Sequence, residues 1–162
     1  MQQANSLPRP GSRAPAFELP SSTGKTVRLA DLTARGPIVL FFYLRADTPG
    51  CTTEACGFRD DGRAFREAGA SVVGISPDSV KAVTKFAEKF ALDYPLLADE
   101  DHAVAGRYGV WQEKSMYGRK YWGVARTTVV VGRGGKVLHV FEKVKPKGHS
   151  GEVLDWLRSH LA

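Results

Sequence analysis

Only two of the 162 residues are cysteines. That is too few for a small scaffold stapled by disulfides, and a chain of this length with 43% apolar residues can build its core without them. Nowhere do roughly 18 consecutive apolar residues occur, so no membrane-spanning helix is expected. The first twenty residues carry four prolines and only short apolar stretches, so no secretory leader is expected. Histidine is sparse too: His102, His139, His149 and His160 are scattered without helix-face metal spacing, and neither a metal nor any other cofactor is expected. Internal repeats and low-complexity tracts are also missing. The formal charge of +6 is spread along the chain. Its densest patch, Lys143, Lys145 and Lys147 beside Pro146, comes without finger spacing, an aromatic stacking platform or a basic helix, so no nucleic-acid partner is expected.

What remains fits one compact domain over residues 1–162, working in a reducing cytoplasm where a disulfide forms only transiently. The opening through Pro15 reads as an arm that feeds a short strand at Ala16 to Leu19, and Val27 to Leu29 resumes an extended pattern after a turn at Thr23-Gly24. Ile38 to Tyr43 is continuously apolar and rich in β-branched and aromatic types, as suits a central strand buried on both faces. Cys51, Ala55, Phe58, Gly62 and Phe65 then recur at helical spacing up to Gly69. Val72 to Ile75 is a strand, and Ser76-Pro77-Asp78 signals a helix with Val80, Val83, Ala87 and Phe90 on its apolar face. A short strand at Tyr94 to Leu97, a short helix over Asp101 to Tyr108, a hairpin of Thr127 to Val131 with Lys136 to Phe141, and a last helix from His149 or Ser150 complete the reading. This order describes an α/β fold with a central mixed sheet covered by helices. Asp99, Glu100 and Asp101 read as an acidic turn and cap. Gly132, Gly134 and Gly135 fall inside the hairpin and do not make a phosphate loop. Met116, Tyr117, Tyr121 and Trp122 read as a loop-like stretch whose side chains either pack or wall a substrate entrance; Trp111 is open to the same two readings.

The two cysteines stand five positions apart in Thr48-Pro49-Gly50-Cys51-Thr52-Thr53-Glu54-Ala55-Cys56, at the opening of the first long helix. Unpaired N–H groups and the positive end of the helix dipole favour a thiolate there, and the thiolate is the nucleophilic form. A strand that delivers a cysteine to a helix start is the thioredoxin-like way of making a reactive thiol. On an intact helix, however, five positions place the two Cα atoms roughly 8.6 Å apart. A disulfide needs them within about 7 Å, so the first turn must unwind before the bond can close. Gly50 and Gly57 lower the cost of that opening. Thr48 places a hydroxyl at the lip of the same turn, and Arg126, after Gly123-Val124-Ala125, can bring a guanidinium to the helix mouth.

The run from Phe42 to Asp60 resembles the active-site segment of the peroxiredoxins, in particular the bacterioferritin comigratory protein or PrxQ subgroup. Arg13 to Leu19, Gly74 to Asp78, Gly123 to Thr128 and Pro146 to His149 resemble further segments of that family, so the likeness covers nearly the whole chain. It implies a thioredoxin-like peroxiredoxin fold with Cys51 as the peroxidatic and Cys56 as the resolving cysteine. Thr48 and Arg126 become the groups that hold peroxide and thiolate, and Glu54 the acid of the first helical turn. The implied substrates are hydrogen peroxide and organic hydroperoxides, and the implied reductant is thioredoxin or a similar dithiol acting on a Cys51–Cys56 disulfide. The implied state is a monomer, with a dimer left open. Leu44 departs from the pattern, standing where the family usually has a proline that would rigidify the loop over the thiolate. Two other readings stay open at this level: an oxidoreductase acting on protein disulfides, which would favour Cys-x2-Cys, and a basic interaction module with a stabilising bridge.

Overall fold

A computed structural model describes residues 6–161. Residues 1–5 of the opening arm and residue 162 lie outside that range. The element order is β1 (Glu18–Pro20), β2 (Thr26–Arg28), α1 (Leu29–Thr33), β3 (Ile38–Phe42), α2 (Pro49–Asp60), α3 (Gly62–Glu67), β4 (Ser71–Ser76), α4 (Val80–Lys89) and β5 (Leu96–Ala98). It continues with α5 (Ala103–Arg107), β6 (Trp111–Met116), β7 (Arg119–Val124), β8 (Thr127–Val131), β9 (Val137–Phe141) and α6 (His149–His160).

Five strands form the central sheet in the order β5-β4-β3-β8-β9. β3 pairs parallel to β4 and antiparallel to β8, so the sheet is mixed, as the order of elements implies. All five residues of β3 are buried, because both faces of the middle strand are covered. Val39, Phe41 and Tyr43 point to the side packed by α2, α3, α4 and α6, where Phe58, Phe65, Phe86 and Leu157 complete a core. Leu40 and Phe42 point to the other side, toward Phe17, Leu29, Val104 and Tyr108. This is the α/β, thioredoxin-like peroxiredoxin arrangement.

Several boundaries differ from the periodicity. Leu29 begins α1 instead of extending a strand, and the apolar stripe from Cys51 to Phe65 is split at Asp61 into two helices without losing its face. The helix after β4 starts at Val80, capped by Ser79, whose Oγ accepts from the Ala82 amide; Val80 itself is exposed. The stretch from Met116 to Trp122 is no loop: β6 and β7 form a separate antiparallel hairpin joined by Tyr117 and Gly118, both at positive φ. Its strands are mostly exposed and carry no regular apolar alternation, so nothing announced them.

Candidate active site

The site forms beyond the carboxyl end of β3, where open α/β sheets place their clefts. From Tyr43 the chain crosses to α2 through a loop held on both sides. Asp78 Oδ2 accepts hydrogen bonds from the Ala46 amide at 2.8 Å and from Ser76 Oγ at 2.7 Å, and Lys89 pairs with Asp47 at 2.8 Å. Asp78 is thus a fastener of the loop and not the helix-start residue that its sequence context suggests. Thr48 sits at the N-cap of α2 in extended conformation, and Pro49 takes the first helical position that suits its fixed φ. The Thr48 hydroxyl does not cap the helix; it donates to the Arg45 carbonyl at 2.9 Å, which leaves its oxygen free to accept, and the residue lines the cleft above Cys51.

Cys51 follows in the first turn. Its side chain belongs to the buried face, and the residue is 1% exposed, so the thiol is enclosed and not displayed on the surface. Arg126 arrives from the link between β7 and β8. Its Nη1 donates to Glu54 Oε1 at 2.8 Å, and its Nη2 lies 3.5 Å from Cys51 Sγ. A Cβ at Gly50 would stand 3.2 Å from that Nη2, so glycine makes room for the guanidinium against the helix. At Gly57 a Cβ would lie 3.1 Å from Ser150 Oγ, which gives this glycine a packing reason besides backbone freedom.

Because α2 starts at Pro49, Glu54 occupies its second turn and not its first. The residue is buried, with Oε1 on Arg126 and Oε2 without a partner among the described residues. Burial pushes its carboxyl up from 4.5 to about 7, against the opposing pull of Arg126. Burial also works against the charge on Arg126, but Cys51 and Glu54 outweigh it and hold the guanidinium firmly protonated. Cys56, half-buried, lies further along the same uninterrupted helix, and the two thiols are not bonded to each other.

Above Cys51 opens a cleft of about 610 Å³, walled by Leu44, Thr48, Trp111, Lys114, Trp122 and Arg126 among others. The β6–β7 hairpin forms one wall, and the His102 ring stacks on Trp111 at 3.9 Å. The structure therefore brings Thr48, Cys51, Glu54 and Arg126 together and leaves Cys56 to one side. Sequence reasoning missed Lys114 and Asp78. Lys114 faces Tyr121 across the hairpin, and burial, with Arg126 beside it, lowers its ammonium pKa. The signal that could have found the hairpin is the Tyr117-Gly118 pair between two six-residue stretches. Among the described residues no group of His, Cys, Asp and Glu is arranged to hold a metal, and no helix is long and apolar enough to cross a membrane.

Comparison with known proteins adds a consistent result. The AhpC/TSA family model matches residues 10–140. Peroxiredoxin Bcp of Escherichia coli K12 is 43% identical over 150 residues, covering 93% of this chain and 96% of that protein. The crystal structure of peroxidoxin BcpB from Mycobacterium tuberculosis superposes with a TM-score of 0.84 at 44% identity, over 94% of this chain and 98% of that one. A bacterioferritin comigratory protein of Xanthomonas campestris, solved with trapped intermediate and ligand complexes, gives 0.85 at 36% identity over 90% and 92% of the two chains. A cysteine at a helix start with a guanidinium on its sulfur, in this fold and with these relatives, is a thiol-peroxidase arrangement. The chain belongs to the AhpC/TSA family and, within it, to the Bcp/PrxQ peroxiredoxins.

Proposed function

We propose that the chain is a one-domain thioredoxin-dependent peroxidase that reduces hydrogen peroxide and organic hydroperoxides through Cys51, with Cys56 as resolving thiol. The observation that carries this is the guanidinium Nη2 placed 3.5 Å from Cys51 Sγ at the floor of a cleft that also presents the Thr48 hydroxyl. The Cys51 thiolate attacks the terminal oxygen of the hydroperoxide; the O–O bond breaks, the sulfur becomes sulfenic acid, and the alkoxide or hydroxide leaves as alcohol or water after taking a proton. Arg126 stabilises charge developing on the peroxide oxygens, and the amides of Gly50 and Cys51, which have no intrahelical acceptor, point the same way. Thr48 accepts the peroxide hydrogen and orients the molecule, while Glu54 fixes the fork of Arg126. The Cys56 thiol then displaces hydroxide from the sulfenic sulfur, giving a disulfide and water. Two electrons from an external dithiol, thioredoxin or its like, restore both thiols.

Burial argues against the rival reading as a protein-disulfide oxidoreductase, since a cysteine that is 1% exposed admits a small peroxide more readily than another protein. Organic hydroperoxides are supported by the apolar walls of the cleft and by the alkyl peroxide reduction activity ascribed to the Xanthomonas campestris relative. The test is to add one equivalent of hydrogen peroxide to the reduced protein, time the loss of thiols, and follow recovery with thioredoxin. Both thiols should disappear together and return, and Cys51→Ser should remove nearly all turnover. Full thioredoxin-dependent turnover in Cys51→Ser would reject the assignment.

A further inference from the structure

Which end of the Cys51–Cys56 segment moves when the disulfide forms depends on what holds each end. The Cys51 end lies in the first helical turn, whose opening amides lack intrahelical acceptors. The Cys56 end is clamped from outside the helix. Tyr94 Oη donates a buried hydrogen bond of 2.6 Å to the carbonyl of Ala55, and that carbonyl belongs to the peptide bond whose nitrogen is Cys56. The phenol is mounted stiffly: its ring meets Phe41 edge-on at 5.8 Å, the residue is 9% exposed, and Pro95 directly follows it. Burial, with lesser contributions from Tyr43, Cys56 and the acids Glu54 and Asp93, raises its pKa well above the ordinary phenol value, so the donor persists throughout the working range of pH.

We propose that Tyr94 is a positioning residue for the resolving step: it pins the Ala55–Cys56 peptide, confines the required motion to the first turn of α2, and so sets the pace at which Cys51 sulfenic acid becomes disulfide. The inference rests on the peroxidase reading above. On an ideal helix the Cα atoms start roughly 8.6 Å apart and must come within about 7 Å. With the Cys56 peptide fixed, Cys51 makes the whole journey. With the clamp released, both ends share it, and the sulfenic acid has a shorter life in which a second peroxide can convert it to sulfinic acid.

The experiment compares wild type, Tyr94→Phe and Tyr108→Phe by rapid-quench mass spectrometry, following thiol, sulfenic acid and disulfide after peroxide addition. Tyr94→Phe keeps the ring and its packing. Tyr108→Phe deletes a comparable phenol bond, 2.7 Å to the Pro15 carbonyl, in the core on the other face of the sheet from α2, and controls for general loosening. Tyr94→Phe should oxidise to sulfenic acid at the wild-type rate and then close the disulfide about 2- to 12-fold faster, the factor that one net hydrogen bond supplies. Sulfinic acid at high peroxide should fall accordingly, amide exchange of the reduced protein should quicken around residues 55–60, and Tyr108→Phe should change none of these. Disulfide closure in Tyr94→Phe at or below the wild-type rate overturns the role of Tyr94. Wild-type protein that does not lose its thiols to peroxide at all defeats instead the peroxidase reading beneath it.

Discussion

Arg126 divides its guanidinium between a carboxylate and a sulfur, and burial brings the carboxylate's titration into the working range of pH. Glu54 is raised from 4.5 to about 7 because burial outweighs its ion pair. The folded protein therefore binds this proton more tightly than the unfolded chain. Between pH 4.5 and 7 the native state carries the extra proton, so stability from this group is full at low pH and falls as pH rises through that window. Glu54→Gln deletes the titration. Melting temperatures measured from pH 4 to pH 8 should decline less across about 4.5 to 7 in the variant than in the wild type; parallel curves would remove Glu54 from the linkage. At this scale the gathering of Cys51, Thr48 and Arg126 was legible from their types and positions, and that of Glu54 from the resemblance of the active-site run alone. Lys114, Asp78 and Tyr94 were not, since each acts through a tertiary contact that leaves no local pattern.

The last helix carries its own example of a residue that sequence spacing undersells. His149, the first residue of α6, is buried between the rings of Phe58 and Phe141, which it meets edge-on at 5.7 and 5.4 Å. Its Nδ1 lies 2.9 Å from Glu152 and its Nε2 2.7 Å from the hydroxyl of Thr128 on β8. Since a carboxylate accepts, Nδ1 carries the hydrogen and Nε2 takes the threonine proton, tying α6 to the strand that follows Arg126. His149→Ala leaves a cavity and an unpaired buried hydroxyl, and should cost about 2–4 kcal/mol in denaturant unfolding. A loss under about 0.5 kcal/mol, as at an ordinary surface site, would show the tie to be idle. The same contrast explains which elements were readable. β3, β4, β8 and α6 announce themselves by apolar runs or helical periodicity, whereas α1 has five residues and the β6–β7 hairpin is largely exposed, without a regular apolar alternation on either strand.

Across the whole molecule, the proposed reaction cycle sets a buried sheet against a helix that it requires to open. β3 is buried along its length between β4 and β8, while α2 rests on the sheet by one face and is anchored from outside by Tyr94, Ser150 and Arg126. A disulfide between positions 51 and 56 of an intact α2 is barred by their separation of roughly 8.6 Å on an ideal helix. Oxidation should therefore raise amide exchange over the opening residues 51–55 of α2 and leave residues 38–42 protected, which exchange mass spectrometry on the reduced and oxidised protein reads directly. The same opening resolves a difficulty of access, because a protein-sized dithiol cannot reach a sulfur enclosed beneath the cleft until the helix gives way. Peroxide, small enough to enter the closed form, and reductant, too large for it, would then meet two different conformations of one segment. A verified Cys51–Cys56 bond in a protein whose α2 exchanges no faster than when reduced would break that link, and the bond would need another geometry.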